Sequence, residues 1–230
     1  MIIGITGLAG AGKDTTAAYI MKKYPKYKKL SFASKLKDMT AELYGWDRKK
    51  LEGITNLDRK WREVEDLNLS KIFGRKITPR HELQLLGTGL RNILQRNFWT
   101  CMVKNEIIKK NLKNVVITDV RFPDEIEMIR SLGGIIFEVR RFMPEPEWYG
   151  IAWKKNLGYS LFYDKIFNHR IYKLYLKQHP SETSWIGVNK PDFIVENMFS
   201  LFSLEKETYR IMKEVNQLER ERKNAVKAKH

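Results

Sequence analysis

The residues with the clearest chemical capacity lie near the start of the chain. Gly7-Leu8-Ala9-Gly10-Ala11-Gly12-Lys13-Asp14-Thr15 carries the spacing G-x-x-x-x-G-K between an apolar run, Ile2–Thr6, and a helical stretch from about Lys13 to Lys23. Glycines in such a turn let successive backbone N–H groups converge on phosphate oxygens at a helix N-terminus that already favours anions. Lys13 adds a point charge where the β- and γ-phosphates of a triphosphate would lie, so Gly10, Ala11, Gly12, Lys13, Asp14 and Thr15 form a candidate nucleotide-binding set. The usual Ser/Thr after the lysine is replaced by Asp14, with Thr15 one place later. A carboxylate there can hold Mg²⁺ directly or through water.

A second acidic position follows the strand-like run Val115-Val116-Ile117-Thr118-Asp119. Asp119 could bear on Mg²⁺ or its waters, which makes Asp14, Thr15 and Asp119 the candidate metal residues, and Arg121 could reach a phosphate oxygen. An Asp119–Arg121 pair that merely fixes the loop is the plainer alternative. Arg80, Gln84, Thr88 and Arg91 are spaced to share one helix face, opposite Leu83, Leu86, Leu90 and Leu94. Two guanidinium groups suit bidentate capture of a phosphate, and a Gln amide can read a base edge. Gly87 and Gly89 on the same helix suggest close packing. Asn189-Lys190-Pro191-Asp192 matches a guanine-reading string, but the apolar strand follows it instead of leading into it, and the match is read as coincidence.

These residues need a scaffold, and the pattern around them supplies one. Short continuous apolar runs at 2–6, 30–32, 115–119, 135–139 and 192–195 alternate with helical stretches at 13–23, 34–43, 80–97, 99–111, 123–132 and 204–229. Leu36, Met39, Thr40 and Leu43 lie along one face of the second of these helices. Such alternation predicts an α/β fold with a central parallel sheet covered on both faces, its ligands at the carboxyl ends of the strands. Residues 45–79 read as a small helical insertion, 140–185 as an aromatic and basic one, and the C-terminal helix as a solvated surface element. A basic insertion suits a cover over a triphosphate, with Arg141 among its cations; it would equally suit single-stranded nucleic acid.

Composition sets the outer bounds. The 230 residues include 43 Lys+Arg and 27 Asp+Glu, a formal charge of +16, with 43% hydrophobic residues. That excludes a disordered chain and points to an anionic partner. One cysteine, Cys101, excludes an internal disulfide framework and fits a reducing compartment. No run approaches a membrane span or an export signal, so a cytoplasmic protein without membrane partners is expected.

Taken together, the Gly-Lys-Asp-Thr loop, Ser31-Phe32-Ala33 with Leu36-Lys37, Leu83-Gln84-Leu85-Leu86-Gly87-Thr88 with Arg91, Thr118 to Pro123, His179-Pro180-Ser181-Glu182 and Asp192 to Asn197 resemble the deoxynucleoside monophosphate kinases of bacteriophages and other viruses. The resemblance runs from the glycine loop to Asn197 and leaves the C-terminal tail uncovered. It implies a three-layer P-loop kinase fold in one domain, 1–230, with a core over about 1–44, 98–140 and 186–203. A monophosphate-binding lobe is expected over about 45–97, a lid over 141–185 and a terminal helix over 204–230. It also implies transfer of the ATP γ-phosphate to a deoxynucleoside 5′-monophosphate with Mg²⁺, a role in deoxynucleotide biosynthesis, and host cytoplasm as the setting if the source is viral. Lys13, Arg121 and Arg141 are the expected catalytic residues. Lys37, Arg80, Gln84, Thr88, Arg91, Asp119, Glu182 and Trp185 are the expected acceptor contacts, and Asn197 lies near the donor. Small nucleotides are the expected partners, nucleic acid is not, and a homodimer is left open. Two other readings stay open: a kinase of another small phosphorylated acceptor, such as dephospho-coenzyme A, and a nucleic-acid-binding ATPase.

Overall fold

A computed structural model describes residues 1–141, 144–188 and 190–227. The chain divides into two compact units, one made of Met1–Leu30 with 107–230 and the other of Ser31–Glu106.

The first unit is built on a parallel five-stranded sheet. Its strands are β1 (Ile2–Thr6), β2 (Lys28–Leu30), β3 (Val115–Ile117), β4 (Ile135–Arg140) and β5 (Phe193–Glu196), in the order β2-β3-β1-β4-β5. β1 is central, with Ile3 opposite Val116 on one side and Ile135 on the other. Helix α1 (Lys13–Lys23) follows β1, and its Ala17 and Ile20 join Ile3, Ile5, Phe137 and Val195 in the main core. Gly4 has no room for a side chain: a Cβ there would sit 2.5 Å from Ile129 and 2.9 Å from Ile136.

Most expected elements are present with shifted ends. The second strand lies at 28–30, two residues before its expected place, because Lys28 and Lys29 on the sheet edge need no apolar pattern. The terminal helix departs from its expected role. Leu204, Thr208, Ile211, Met212 and Val215 of the 201–227 helix are fully buried, and the four apolar ones join the core that α1 faces. Burying four such side chains is worth on the order of 6–12 kcal/mol before ordering costs. It is a layer of the fold and not a solvated appendage.

The second unit holds α2 (Ala33–Tyr44), α3 (Arg48–Glu52), α4 (Asn56–Trp61), α5 (Leu67–Phe73), α6 (Pro79–Ile93) and most of α7 (Phe98–Lys109). The lobe expected over 45–97 falls inside it. Its small core gathers Trp46, Leu51 and Ile77, with Tyr44, Trp61 and Leu83 packed against them. Asp47, Thr55, Asp66 and Thr78 each cap the following helix by accepting a backbone N–H, which explains three short helices and the start of a longer one in a charged stretch. Two positions depart from the expected apolar stripes: Leu43 and Leu94 are 64% and 55% exposed. α6 ends at Ile93, before the stripe reaches Leu94, and on α2 the buried face runs through Leu36 and Thr40. Gly87 packs close to Leu36, whereas a Cβ at Gly89 would meet nothing.

Back in the first unit, α8 (Pro123–Ser131) covers β1 and β4, and the basic insertion folds into α9 (Tyr149–Asn156), α10 (Phe162–Ile166), α11 (His169–Leu176) and α12 (Pro180–Thr183). Phe142 and Met143 of the expected lid and residues 228–230 of the expected tail lie outside the described residues. The terminal helix is α13 (Leu201–Lys227). Among the described residues no helix is long and apolar enough to cross a membrane.

Candidate functional site

The first unit places its chemistry at the carboxyl ends of the strands. After β1 the chain turns through Gly7, Gly10 and Gly12, each with positive φ (142°, 77° and 107°), conformations that favour glycine. At Gly7 a Cβ would collide with the Val139 carbonyl oxygen of β4. Gly7→Ala is therefore expected to destabilise the protein by about 1–3 kcal/mol through combined strain and overlap. A melt within 1 °C of wild type (roughly the resolution of such a scan) would contradict this.

Gly12 caps α1 without a side chain, so the first N–H groups of that helix have no capping side-chain oxygen among the described residues. Around them the loop's carbonyls are engaged. Lys13 Nζ donates to Gly7 O at 2.8 Å and Leu8 O at 2.9 Å. Arg141, just after β4, donates to Gly10 O at 3.1 Å, and Asn197, just after β5, donates to Ala11 O at 2.8 Å. Burial, with the Arg121 charge adding to it, brings the Lys13 amine down to about 8. Ala11 is buried, Gly10 exposed and Thr15 half-buried.

Asp14 Oδ1 accepts from Lys29 Nζ at 2.7 Å and from Thr118 Oγ1 at 2.8 Å. Burial pushes this carboxyl up, but the Lys29 and Thr118 hydrogen bonds and the Lys29 charge outweigh it and hold it below its usual range. Lys29 and Thr118 are partners that sequence reasoning missed; Thr118 stood one residue before the acidic position singled out. Asp119 follows, half-buried. Arg121 donates to Ser181 Oγ at 3.1 Å and pairs with Glu182, so an expected phosphate ligand and an expected acceptor contact meet each other. Trp185 is buried, edge-on to Tyr149 with ring centroids 6.3 Å apart. Asn189 of the guanine-like string lies outside the described residues; Asp192 accepts from the Ile136 backbone N–H at 2.6 Å and pairs with Arg130, an anchor between β4 and β5.

In the second unit Lys37 donates to Glu52 at 3.0 Å, a carboxylate it shares with Arg48. Arg80 pairs with Glu63 at the surface. Gln84 is half-buried and Thr88 exposed, while Arg91, half-buried, donates to Arg96 O at 3.2 Å. Sequence reasoning missed two residues here. Glu82, one turn into α6, is fully buried and accepts from Arg75, Tyr44 and His81. Arg62, between α4 and α5, is half-buried, with its Nε fully buried.

A central strand, a glycine loop clasping its own lysine and the helix that follows it, set in a parallel sheet, make a P-loop α/β fold, the class whose loop binds phosphate groups. The description "Deoxynucleotide monophosphate kinase" matches as a family model over residues 66–146. A putative deoxynucleotide monophosphate kinase of Acanthamoeba polyphaga mimivirus is 31% identical over 153 residues, covering 61% of this chain and 74% of that protein. The deoxynucleoside-5′-monophosphate kinase of Escherichia phage T5 is 25% identical over 180 residues, covering 57% of this chain and 72% of that protein. Among solved structures, the dephospho-CoA kinase of Campylobacter jejuni aligns over 94% of this chain and 97% of that one, with 17% identity and a TM-score of 0.44. The chain belongs to the deoxynucleotide monophosphate kinase family.

Proposed function

We propose that this enzyme transfers the γ-phosphoryl group of ATP to the 5′-phosphate of a deoxynucleoside monophosphate, with Mg²⁺. The observation that carries the reading is Lys13, an ammonium held at the glycine loop by two carbonyl bonds beside the uncapped start of α1. Loop N–H groups bind the donor phosphates, and Lys13 turns from Gly7 and Leu8 to the β- and γ-oxygens. An acceptor phosphate oxygen bonds to the γ-phosphorus as the bond to the β,γ-bridging oxygen breaks, releasing ADP. The acceptor phosphate is largely dianionic at pH 7, its second pKa being about 6, so no general base is needed. Arg121 and Arg141 supply positive charge to the phosphoryl group in flight, and Asn197 braces the loop.

Asp14 suits Mg²⁺ by its chemistry: one oxygen is committed to Lys29 and Thr118, and the other has no hydrogen-bond partner among the described residues. Asp14, with Thr15 and Asp119, would hold the ion through oxygen or water, as Mg²⁺ sites with few carboxylates do. When bound, the metal neutralises charge on the donor phosphates. Lys37, Arg80, Gln84, Thr88 and Arg91 are assigned to the acceptor, with Glu182 releasing Arg121 as nucleotides arrive; Trp185 supports its segment from within.

An assay coupling ADP release to each of dAMP, dGMP, dCMP and dTMP tests the reading: ADP release dependent on at least one supports it, and none overturns it. A pH series tests Lys13. With its amine near 8, Lys13 is already charged below that pH and adds no pH dependence of its own to ATP affinity there. Above pH 8 the amine must take up a proton to bind phosphate, so affinity falls with rising pH, approaching about tenfold per unit. Calorimetric Kd values constant between pH 8 and pH 9.5 (roughly the span where the slope shows) would remove Lys13 from the donor site.

A further inference from the structure

The helical unit contains a cation that, among the described residues, makes no side-chain hydrogen bond or ion pair. Arg62 closes α4, and its guanidinium lies against Gly53, so near that a Cβ on that glycine would sit 2.5 Å from Cζ and from Nη2. Its Nε is buried without a hydrogen bond, and among the described residues its side chain makes no hydrogen bond or ion pair. The neighbouring cations are engaged: Arg59 donates to Gly53 O at 3.1 Å, Arg48 to Asp38 and Glu52, and Lys37 to Glu52. Arg80 is adjacent, since its backbone N–H donates to Arg62 O at 2.9 Å. Burial and the charges of Arg80 and Arg59 press the Arg62 guanidinium below its usual range, outweighing the opposing pull of Glu63 and Glu52.

A half-buried arginine with unused donors beside a second arginine is unfavourable to the fold. A neutral side chain would serve stability better, and a ligand that accepts from both forks reverses the balance. Arg80 can join at little cost, because its partner Glu63 is a surface pair, 55% exposed, of the weak kind. The complementary ligand is a dianionic, tetrahedral group, to which guanidinium binds bidentately. We propose that Arg62 and Arg80 form a two-guanidinium site for the phosphate of the acceptor, with Arg62 the member that has no other use in the fold. This rests on the reading that a nucleoside monophosphate is the acceptor.

Arg62→Gln and Arg62→Lys test it. In R62Q the acceptor KM, and the Kd measured calorimetrically without ATP, are expected to rise roughly 10- to 100-fold, with the ATP KM nearly unchanged. The melting temperature of ligand-free R62Q is expected to equal or exceed that of wild type, whereas an arginine that only supports the fold would lower it. R62K, which keeps charge but loses the fork, is expected to fall between. Unchanged acceptor affinity in R62Q overturns the proposal, as does a lowered melting point with equal losses for donor and acceptor. If wild type phosphorylates none of the four monophosphates, the proposed function fails separately. Inorganic phosphate then reads the site: it should raise the melting point of wild type more than that of R62Q, in which the glycine loop still binds it, and an equal rise in both overturns the proposal.

Discussion

Replacing Lys13 by alanine is expected to lower kcat by on the order of 10²–10³-fold, the usual consequence of removing one preorganised charge donor from the path of a developing anion. The structure already holds this ammonium at the loop, 2.8 and 2.9 Å from two backbone carbonyls, so in the proposed reaction only a local movement brings it to phosphate. The same two bonds would be lost from the ligand-free fold, but so would the cost of burying a charge, and the melting temperature should change little. Steady-state kinetics with saturating ATP and acceptor separates these effects. Turnover like wild type in a folded variant would exclude Lys13 from the chemistry.

The largest expected effect on stability lies far from the glycine loop. Glu82→Ala removes an acceptor shared by α2, the turn after α5 and the first turn of α6: Arg75 donates at 2.6 and 2.8 Å and Tyr44 at 2.6 Å. Breaking a buried pair from one side is costly, and because Arg75 reaches water the loss should be roughly 3 kcal/mol, the lower end of that range. Tyr44 stacks on Trp46 with centroids 4.5 Å apart, and thermal unfolding followed by circular dichroism reads the loss. The Arg75 hydrogen bond leads in holding the Glu82 carboxyl at about 2, with Tyr44 and His81 assisting, against an ordinary 4.5. A depressed carboxyl stabilises the fold fully above its unfolded value. That contribution is therefore present above about pH 4.5 and is lost as pH falls towards about 2, a dependence the alanine variant should lack. Equal acid sensitivity in both proteins would contradict the assignment.

What could be read from the sequence was whatever chemistry local order determines. The glycine loop follows its strand and precedes its helix within fifteen residues, so spacing alone exposed it. β1, β3 and the Ile135–Phe137 start of β4 are rich in apolar residues because both of their faces are covered. β2 was misplaced because an edge strand of two lysines and a leucine carries no such mark. α13 was misjudged because its charged residues hide a stripe at 204, 208, 211, 212 and 215 whose spacing is helical throughout. Arg62 and Glu82 were invisible for a different reason: a charged residue looks the same in sequence whether it is solvated, clamped or unpartnered, and only distant neighbours decide. Arg121 shows this most plainly, since its partner Glu182 is sixty-one residues away.

The order in which the chain is made gives the α13 packing a consequence of its own. α1 is synthesised early, yet part of the apolar surface that covers it comes from residues 204–215, and a Cβ at Gly12 would lie 3.5 Å from Leu204. On the ribosome, β1 and α1 therefore keep this apolar surface uncovered until residues 204–215 have followed, so the support behind the glycine loop is completed only after all five strands of the described sheet have been made.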